Sequence, residues 1–260
     1  PHVLALLPFE PPYFTKVGLP CTFVGHPLVE SGAGDGSADR FLKKHQVPLD
    51  ARLLVLLLGS RIGEVRRLLP IYSATVMRLA TRFTKLHLVI PTLPHLERTI
   101  KQEAKKWPVP VTFVKGDQDK YDAFAASQAA LACSGTVSIE LALAALPSVI
   151  AYRMSWLTAK LARLLVKTPY VTLVNVMCKK EVMPEFLLED CTPKALAEAT
   201  ESLLQESSTH ATQVAELVRI GAWLGKGQFV PSEKAAATVL SIIEKRKEES
   251  KKIRCNSQEI

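Results

Sequence analysis

The chain has 260 residues, 48% hydrophobic and 22% charged, with a formal net charge of +8. That length and apolar content suit one large globular domain or two small ones with a real core. Five cysteines and six histidines form no CxxC and no HExxH, which argues against a metal site and a disulfide framework and suits a reducing compartment. The longest aliphatic run, LLVLLL at 53–58, is far short of the roughly 18 residues a membrane span needs.

The chain opens on Pro1, and HVLALL at 2–7 already reads as a buried strand. The expectation is a chain that begins inside a larger protein, without a signal peptide. CTFVG at 21–25 reads as a second strand, SGAGDGS at 31–37 as a loop and ADRFLKKHQ as a short helix. RLLVLLL at 52–58 is a continuous apolar run, as a strand buried on both faces of a parallel sheet requires. A long helix follows over about 63–83, with Val65, Leu68, Leu69, Val76 and Leu79 at helical spacing.

The alternation continues with strands at 86–91, 111–115, 129–133 and 148–152, and helices near 95–106, 121–127 and 135–145. Three helical stretches near 194–206, 209–224 and 232–249 close the chain. Strands alternating with helices imply right-handed crossovers and an α/β fold, a Rossmann-like doubly wound parallel sheet. No internal repeat or low-complexity tract interrupts it. The C-terminal run EKRKEESKKIR at 244–254 carries six basic and three acidic residues. It reads as a solvated helix end or as a contact for anionic surfaces. Aromatics are not interleaved with it, so no nucleic-acid partner is expected.

In such folds ligands bind beyond the carboxyl ends of the strands. Two strand-to-helix junctions draw notice there. In LLLGSRIGEVRR at 56–67, Gly59 lets the backbone turn closely, Ser60 can cap the next helix, and Arg61 offers a guanidinium suited to phosphate. The alternative is a plain capped turn with a surface arginine. No GxxxxGK[ST] occurs, so this is not a Walker loop. In CSGTVSIE at 133–140, Ser134 or Thr136 caps a helix and Gly135 permits close approach. Glu140, between Ile139 and Leu141, is expected to be partly buried, and a buried carboxylate needs donors. Ribose hydroxyls would supply two; a local arginine or backbone N–H groups would serve equally. A third stretch, 152–170, is amphipathic. It has an apolar stripe from Trp156 to Leu165 and a basic side of Lys160, Arg163 and Lys167, fit for an anionic membrane surface, an acyl chain or a packed core.

Taken together, FVGHPLVE (23–30), GSRIGEVRRLLPI (59–71), SGTVSIELALAALPSVIAYR (134–153), LARLLVKTPYVTLVN (161–175) and VMPEFLLED (182–190) resemble lipid-A-disaccharide synthase, in matching order along nearly the whole chain. What matches is the C-terminal part of that enzyme. The resemblance implies a two-domain GT-B glycosyltransferase whose C-terminal domain binds the UDP part of a UDP-linked diacylglucosamine. The sugar is transferred with inversion to a lipid acceptor, diacylglucosamine 1-phosphate, without a metal or other cofactor. Carried onto this chain, Gly59, Ser60 and Arg61 would face the diphosphate or uridine and Ser134, Gly135 and Thr136 the phosphates. Glu140 would face the ribose, and Asn175 would line the nucleotide pocket. Trp156, Lys160, Arg163 and Lys167 would touch membrane or acyl chain.

The resemblance further implies a homodimer formed by exchange of C-terminal segments and a peripheral membrane location. That location would be the cytoplasmic side of the inner membrane in a bacterium, or the mitochondrion in a plant. The expected organisation is an N-terminal-domain remnant and linker at 1–30, a UDP-sugar-binding domain at 31–230, and a C-terminal helix and basic tail at 231–260. No catalytic residue is identified in the chain, because the family places its catalytic carboxylate in the N-terminal domain. Three positions depart from the family pattern. Leu58 and Val174 stand where proline is usual, and Leu188 where glutamine is. The first two would relax loops around the nucleotide and the third would remove a polar contact. The competing readings are a UDP-sugar epimerase and a catalytically inactive, truncated UDP-binding or membrane-associated module.

Overall fold

The computed structural model of the chain describes residues 1–153, 169–205 and 207–256. These divide into two units, one of residues 1–31 with 222–260 and one of residues 32–221. The first unit opens with strand β1 (Val3–Ala5), helix α1 (Pro11–Thr15) and strand β2 (Cys21–Phe23), the two strands pairing in parallel. The strand expected over 2–7 ends early for a local reason. The N–H groups of Leu6 and Leu7 bond to the Glu10 carboxylate, at 3.1 and 2.9 Å, instead of to a neighbouring strand. Two prolines, Pro11 and Pro12, then start α1, where a missing N–H costs nothing.

The second unit begins with α2 (Ala38–His45), whose first turn is capped by the Ser37 hydroxyl accepting from the Arg40 N–H. Strand β3 (Arg52–Leu57) follows, then α3 (Ile62–Ala80), β4 (Leu86–Pro91), α4 (Pro94–Ala104) and β5 (Val111–Val114). Helix α5 (Asp117–Ala126) starts several residues before the expected 121, because Gly116 makes the turn at φ +79° and Asp117 and Asp119 complement the positive helix end. Next come β6 (Ala129–Cys133), α6 (Val137–Leu143) and β7 (Ser148–Tyr152). Helix α7 (Leu173–Cys178) and strand β8 (Glu185–Leu187) were not legible as elements, being too short to show a period. Helices α8 (Pro193–Leu204) and α9 (Ser208–Trp223) follow.

Among the described residues of this unit six strands pair in parallel, in the order β5-β4-β3-β6-β7-β8. Leu54 of β3 is paired with Leu88 on one side and Ala129 on the other. The strand order runs outward in opposite directions from β3 and β6, so the topological switch point lies between them. The continuous apolar run of β3 is explained by helices on both sides of the sheet. Leu54 and Leu56 are 0% exposed and share one cluster with Val65, Leu68 and Tyr72 of α3 and Leu96 of α4. Each such side chain contributes about 1.5–3 kcal/mol relative to leaving it in water. Helix α5 touches β3 and β5 and pairs with α2. There the Asp122 carboxylate takes Arg40 and the Ser37 N–H, and Asp119 takes His45 and Lys44.

Helix α10 (Pro231–Asn256) returns to the first unit and runs past the expected end near 249. It packs against residues of the 1–31 segment. The Glu30 carboxylate accepts from the Ser232 N–H and hydroxyl at 2.9 and 2.6 Å. Lys234 lies over the rings of Phe23 and Phe229, and a Cβ on Gly25 would sit 2.7 Å from Phe229. These contacts join the two chain ends into one unit.

Candidate functional site

A cleft of about 540 Å³ opens beyond the carboxyl ends of β3, β4, β5 and β6, at the switch point of the sheet. Four loops build it, and the two between which the strand order reverses carry the motifs read from sequence. Its charged side chains are Arg61, Lys120, Glu64, Asp117 and Glu140.

After β3 the chain turns at Gly59, with φ +98°. A Cβ there would lie 2.6 Å from Glu64 Oε2 and 3.4 Å from Cys133 Sγ, so both the dihedral and the space demand glycine. Ser60 does not cap α3, contrary to the reading from sequence. The N-cap position falls one residue later, on Arg61, which has the extended dihedrals of a cap. Glu64 performs the closure instead: its Oε2 accepts from the Arg61 N–H at 3.4 Å and its Oε1 from the Arg61 guanidinium at 2.9 Å. The Ser60 carbonyl lies 3.1 Å from His95 Nε2. The Arg61 side chain is 81% exposed, so its ion pair with Glu64 holds it only weakly.

After β6 come Ser134, Gly135 and Thr136, all lining the cleft. Neither hydroxyl caps α6. Thr136 sits at the N-cap with helical dihedrals, φ −60° and ψ −21°, which turn its side chain away from the first-turn amides. The Ser138 hydroxyl donates to the Gly135 carbonyl at 2.9 Å. A Cβ on Gly135 would meet no protein atom within 4 Å. The fold therefore does not require glycine there, and what a side chain would obstruct is the cleft. Cys133 ends β6 in the cleft wall. Burial, with the Glu64 carboxylate adding to it, pushes its thiol up to about 12, so it is a poor nucleophile.

Glu140 is partly buried, as expected, with a side chain 15% exposed. Its partner is neither an arginine nor a backbone N–H. Lys120 Nζ of α5 lies 2.8 Å from Glu140 Oε2 and 2.9 Å from Asp117 Oδ1. Burial works to lower the Lys120 pKa, but the Glu140 and Asp117 carboxylates outweigh it and raise it, so the ammonium stays charged. Glu140 Oε2 is enclosed and has this charge contact in place of an aligned hydrogen bond. The sequence reading missed Lys120, Glu64 and Asp117. Lys120 sits in the polar stretch DQDKYD, where nothing marks one charge as inward-facing. Only the tertiary packing that sets the helices after β5 and β6 beside one cleft brings it to Glu140.

Asn175 is placed away from the cleft. It is 0% exposed and its amide is fully used: Oδ1 accepts from Val182 and Met183 N–H at 2.8 and 2.9 Å, and Nδ2 donates to the Met183 carbonyl and Glu185 Oε1, both at 2.7 Å. Leu58 is 2% exposed and lines the cleft through the strand end, and Val174 is packed in the core. Leu188 lies outside the lining, in a left-handed turn at φ +53° that closes on the Tyr152 carbonyl. Trp156, Lys160, Arg163 and Lys167 fall outside the described residues. Among the described residues no group of three His, Cys, Asp or Glu side chains could hold a metal ion, and no helix is long and apolar enough to cross a membrane.

Known proteins resemble this chain along most of its length. The family model for lipid-A-disaccharide synthetase matches residues 1–239. The lipid-A-disaccharide synthase of Rhodospirillum centenum is 51% identical over 245 residues, covering 94% of this chain and 61% of that protein. Its counterpart in Paramagnetospirillum magneticum is 42% identical over 249 residues, covering 95% and 64%. The chain thus spans about three fifths of the length of these relatives. Among solved structures, the UDP-GlcNAc 2-epimerase from Neisseria meningitidis bound to UDP-GlcNAc superposes with a TM-score of 0.62 at 13% identity, over 92% of this chain and 61% of that one. WaaG, a glycosyltransferase involved in lipopolysaccharide biosynthesis, gives 0.53 at 18% identity, over 76% and 50%. These two likenesses show the fold, a parallel-sheet α/β architecture of the GT-B kind, and the family match goes further: the chain belongs to the lipid-A-disaccharide synthase family.

Proposed function

We propose that this chain is the donor-binding half of a lipid-A-disaccharide synthase-type hexosyltransferase. It holds the UDP part of a UDP-linked diacylglucosamine, whose sugar passes to diacylglucosamine 1-phosphate to form the tetraacyldisaccharide 1-phosphate and UDP. One observation carries the reading. The cleft at the switch point between β3 and β6 gathers Gly59, Ser60 and Arg61 with Ser134, Gly135, Thr136 and Glu140, from two separate loops and the helix that follows one of them.

In this reading the diphosphate meets the Arg61 guanidinium and the N-terminal end of α3, and the ribose hydroxyls donate to Glu140. No resident metal is needed. The group that deprotonates the acceptor hydroxyl comes from the part of the family's chain that these 260 residues do not cover. Donor and acceptor are lipids, so the enzyme works at a membrane surface, on the cytoplasmic side of the inner membrane as in a bacterium. The C-terminal helix serves a homodimer.

Calorimetric titration of UDP into the chain, beside Arg61→Ala and Glu140→Gln, tests the donor site. Each substitution should weaken UDP about tenfold or more, the value of one charge-assisted hydrogen bond, with circular dichroism unchanged. A folded wild-type chain that takes up no UDP would sink the proposal. UDP binding without transfer, once the rest of the family's chain is supplied, would favour a non-catalytic UDP-binding module.

A further inference from the structure

The two oxygens of Glu140 are in different situations. Oε2 is enclosed and faces the Lys120 ammonium at 2.8 Å. Oε1 has no hydrogen bond and is not enclosed, and the side chain lines the cleft. Lys120 is itself only 17% exposed, and Asp117 Oδ1 at 2.9 Å anchors it from the start of its own helix. Asp117 and Lys120 on α5 and Glu140 on α6 thus form a row, carboxylate–ammonium–carboxylate, along one wall of the cleft. The ammonium restrains the rotation of the Glu140 carboxylate and offsets one of the two negative charges of Glu140 and Asp117. Both effects matter in a cleft that, on the reading above, admits a diphosphate. With Lys120 absent, the cleft would hold three carboxylates, Glu64, Asp117 and Glu140, against Arg61 alone.

We propose that Lys120 is a positioning residue for nucleotide recognition: by holding Glu140 Oε2 it leaves Oε1 aimed into the cleft as the acceptor for the ribose 2′-hydroxyl. This inference rests on the UDP reading of the cleft and adds to it the residue that sets the ribose preference. Lys120 itself touches no substrate. The nucleotide arrives, the hydroxyl donates to Oε1, and the Lys120–Oε2 contact persists.

The test compares UDP with 2′-deoxy-UDP, which lacks the hydroxyl that Oε1 would accept. A site built around that hydrogen bond rejects the analogue lacking it. The wild-type chain should bind UDP about tenfold or more tighter than 2′-deoxy-UDP. In Lys120→Met both nucleotides should weaken, since the diphosphate loses a cation, but UDP should lose more, so that this ratio falls toward one. Lys120→Arg, which keeps the cation, should recover most of the ratio. Lys120→Met leaves a carboxylate without its cation and can unfold the chain, so Lys120→Met/Glu140→Gln is measured as well. It should show no lower a ratio than Glu140→Gln alone, since the lysine acts only through the glutamate.

Equal loss of both nucleotides in Lys120→Met, or a ratio that does not move, overturns the inference and leaves the UDP site standing. Tighter UDP binding by Lys120→Met overturns it too, because Lys120 would then compete with the ribose for Glu140. A wild-type chain that binds neither nucleotide refutes the UDP site and the inference together.

Discussion

Replacing Asn175 separates a scaffold role from a nucleotide role. Its amide makes four hydrogen bonds at 2.7 to 2.9 Å, three of them to the backbone of Val182 and Met183. Alanine would strand two N–H groups and one carbonyl in a region where Val182 and Met183 are buried. Each stranded group costs about 1–3 kcal/mol. Glu185 Oε1 is not stranded, because it still accepts from the Thr172 N–H at 2.9 Å and from the Thr172 hydroxyl. With partial relaxation the expected loss is about 4 kcal/mol, near the upper end for single substitutions. At a urea dependence of about 2–3 kcal/mol per molar, the unfolding midpoint falls by about 1.3–2 M. Asn175→Asp should be comparably damaging at pH 7, since an oxygen replaces the donor that faces the Met183 carbonyl and Glu185. Urea unfolding followed by circular dichroism measures both. The protein that remains folded at low urea should bind UDP with an affinity within about threefold of wild type. A midpoint shift below about 0.4 M, or a loss of UDP binding without a loss of stability, would refute the scaffold assignment.

Two further outcomes follow from the structure. Gly59→Ala places a Cβ 2.6 Å from Glu64 Oε2 at a φ of +98°; the dihedral alone costs about 1–2 kcal/mol, and the displaced Glu64 releases the Arg61 N–H. Stability should fall by about 2 kcal/mol or more with weaker UDP binding, and a variant as stable as wild type would contradict the packing described for that turn. The Arg40 guanidinium hydrogen-bonded to Asp122 holds that carboxyl below its usual value against the opposing effect of burial. A carboxyl with a lowered folded pKa adds stability that is complete above its unfolded value, about 3.9, and is lost as pH falls through the lower folded value. Asp122→Asn should therefore be less stable than wild type at pH 7, and the gap should narrow at pH 3; urea midpoints that stay parallel across that range would rule out this linkage.

Much of the fold is legible in the chain because its signals are local. A run such as RLLVLLL, short, continuous and ended by Gly59, reads as a strand covered on both faces, and the helical spacing of Val65, Leu68, Leu69 and Val76 is local as well. The positions of Gly59, Arg61 and Ser134 to Thr136 at one end of the sheet follow from their places just after strand ends, and that of Glu140 from its place in the first turn of the next helix. Elements of three to six residues, β8 and α7, carry too few side chains to show a period. The cap of α3 was misplaced by one residue because Glu64 folds back onto Arg61, a choice between neighbours that composition does not express. Asn175, expected at the nucleotide pocket, is held by four internal hydrogen bonds, which only the meeting of α7 with the Val182–Glu185 segment reveals.

The sequence by itself determined the alternation of strands and helices, and with it a doubly wound sheet whose strand ends carry the polar motifs, since periodicity and turn chemistry act over a few residues. The partners of those motifs were decided by tertiary structure. The strand order β5-β4-β3-β6-β7-β8 sets the β5–α5 loop and the β6–α6 loop around one cleft, and so delivers Lys120 to Glu140. A salt bridge between two helices depends on strand register and helix packing, and these are properties of the assembled sheet rather than of any stretch of chain.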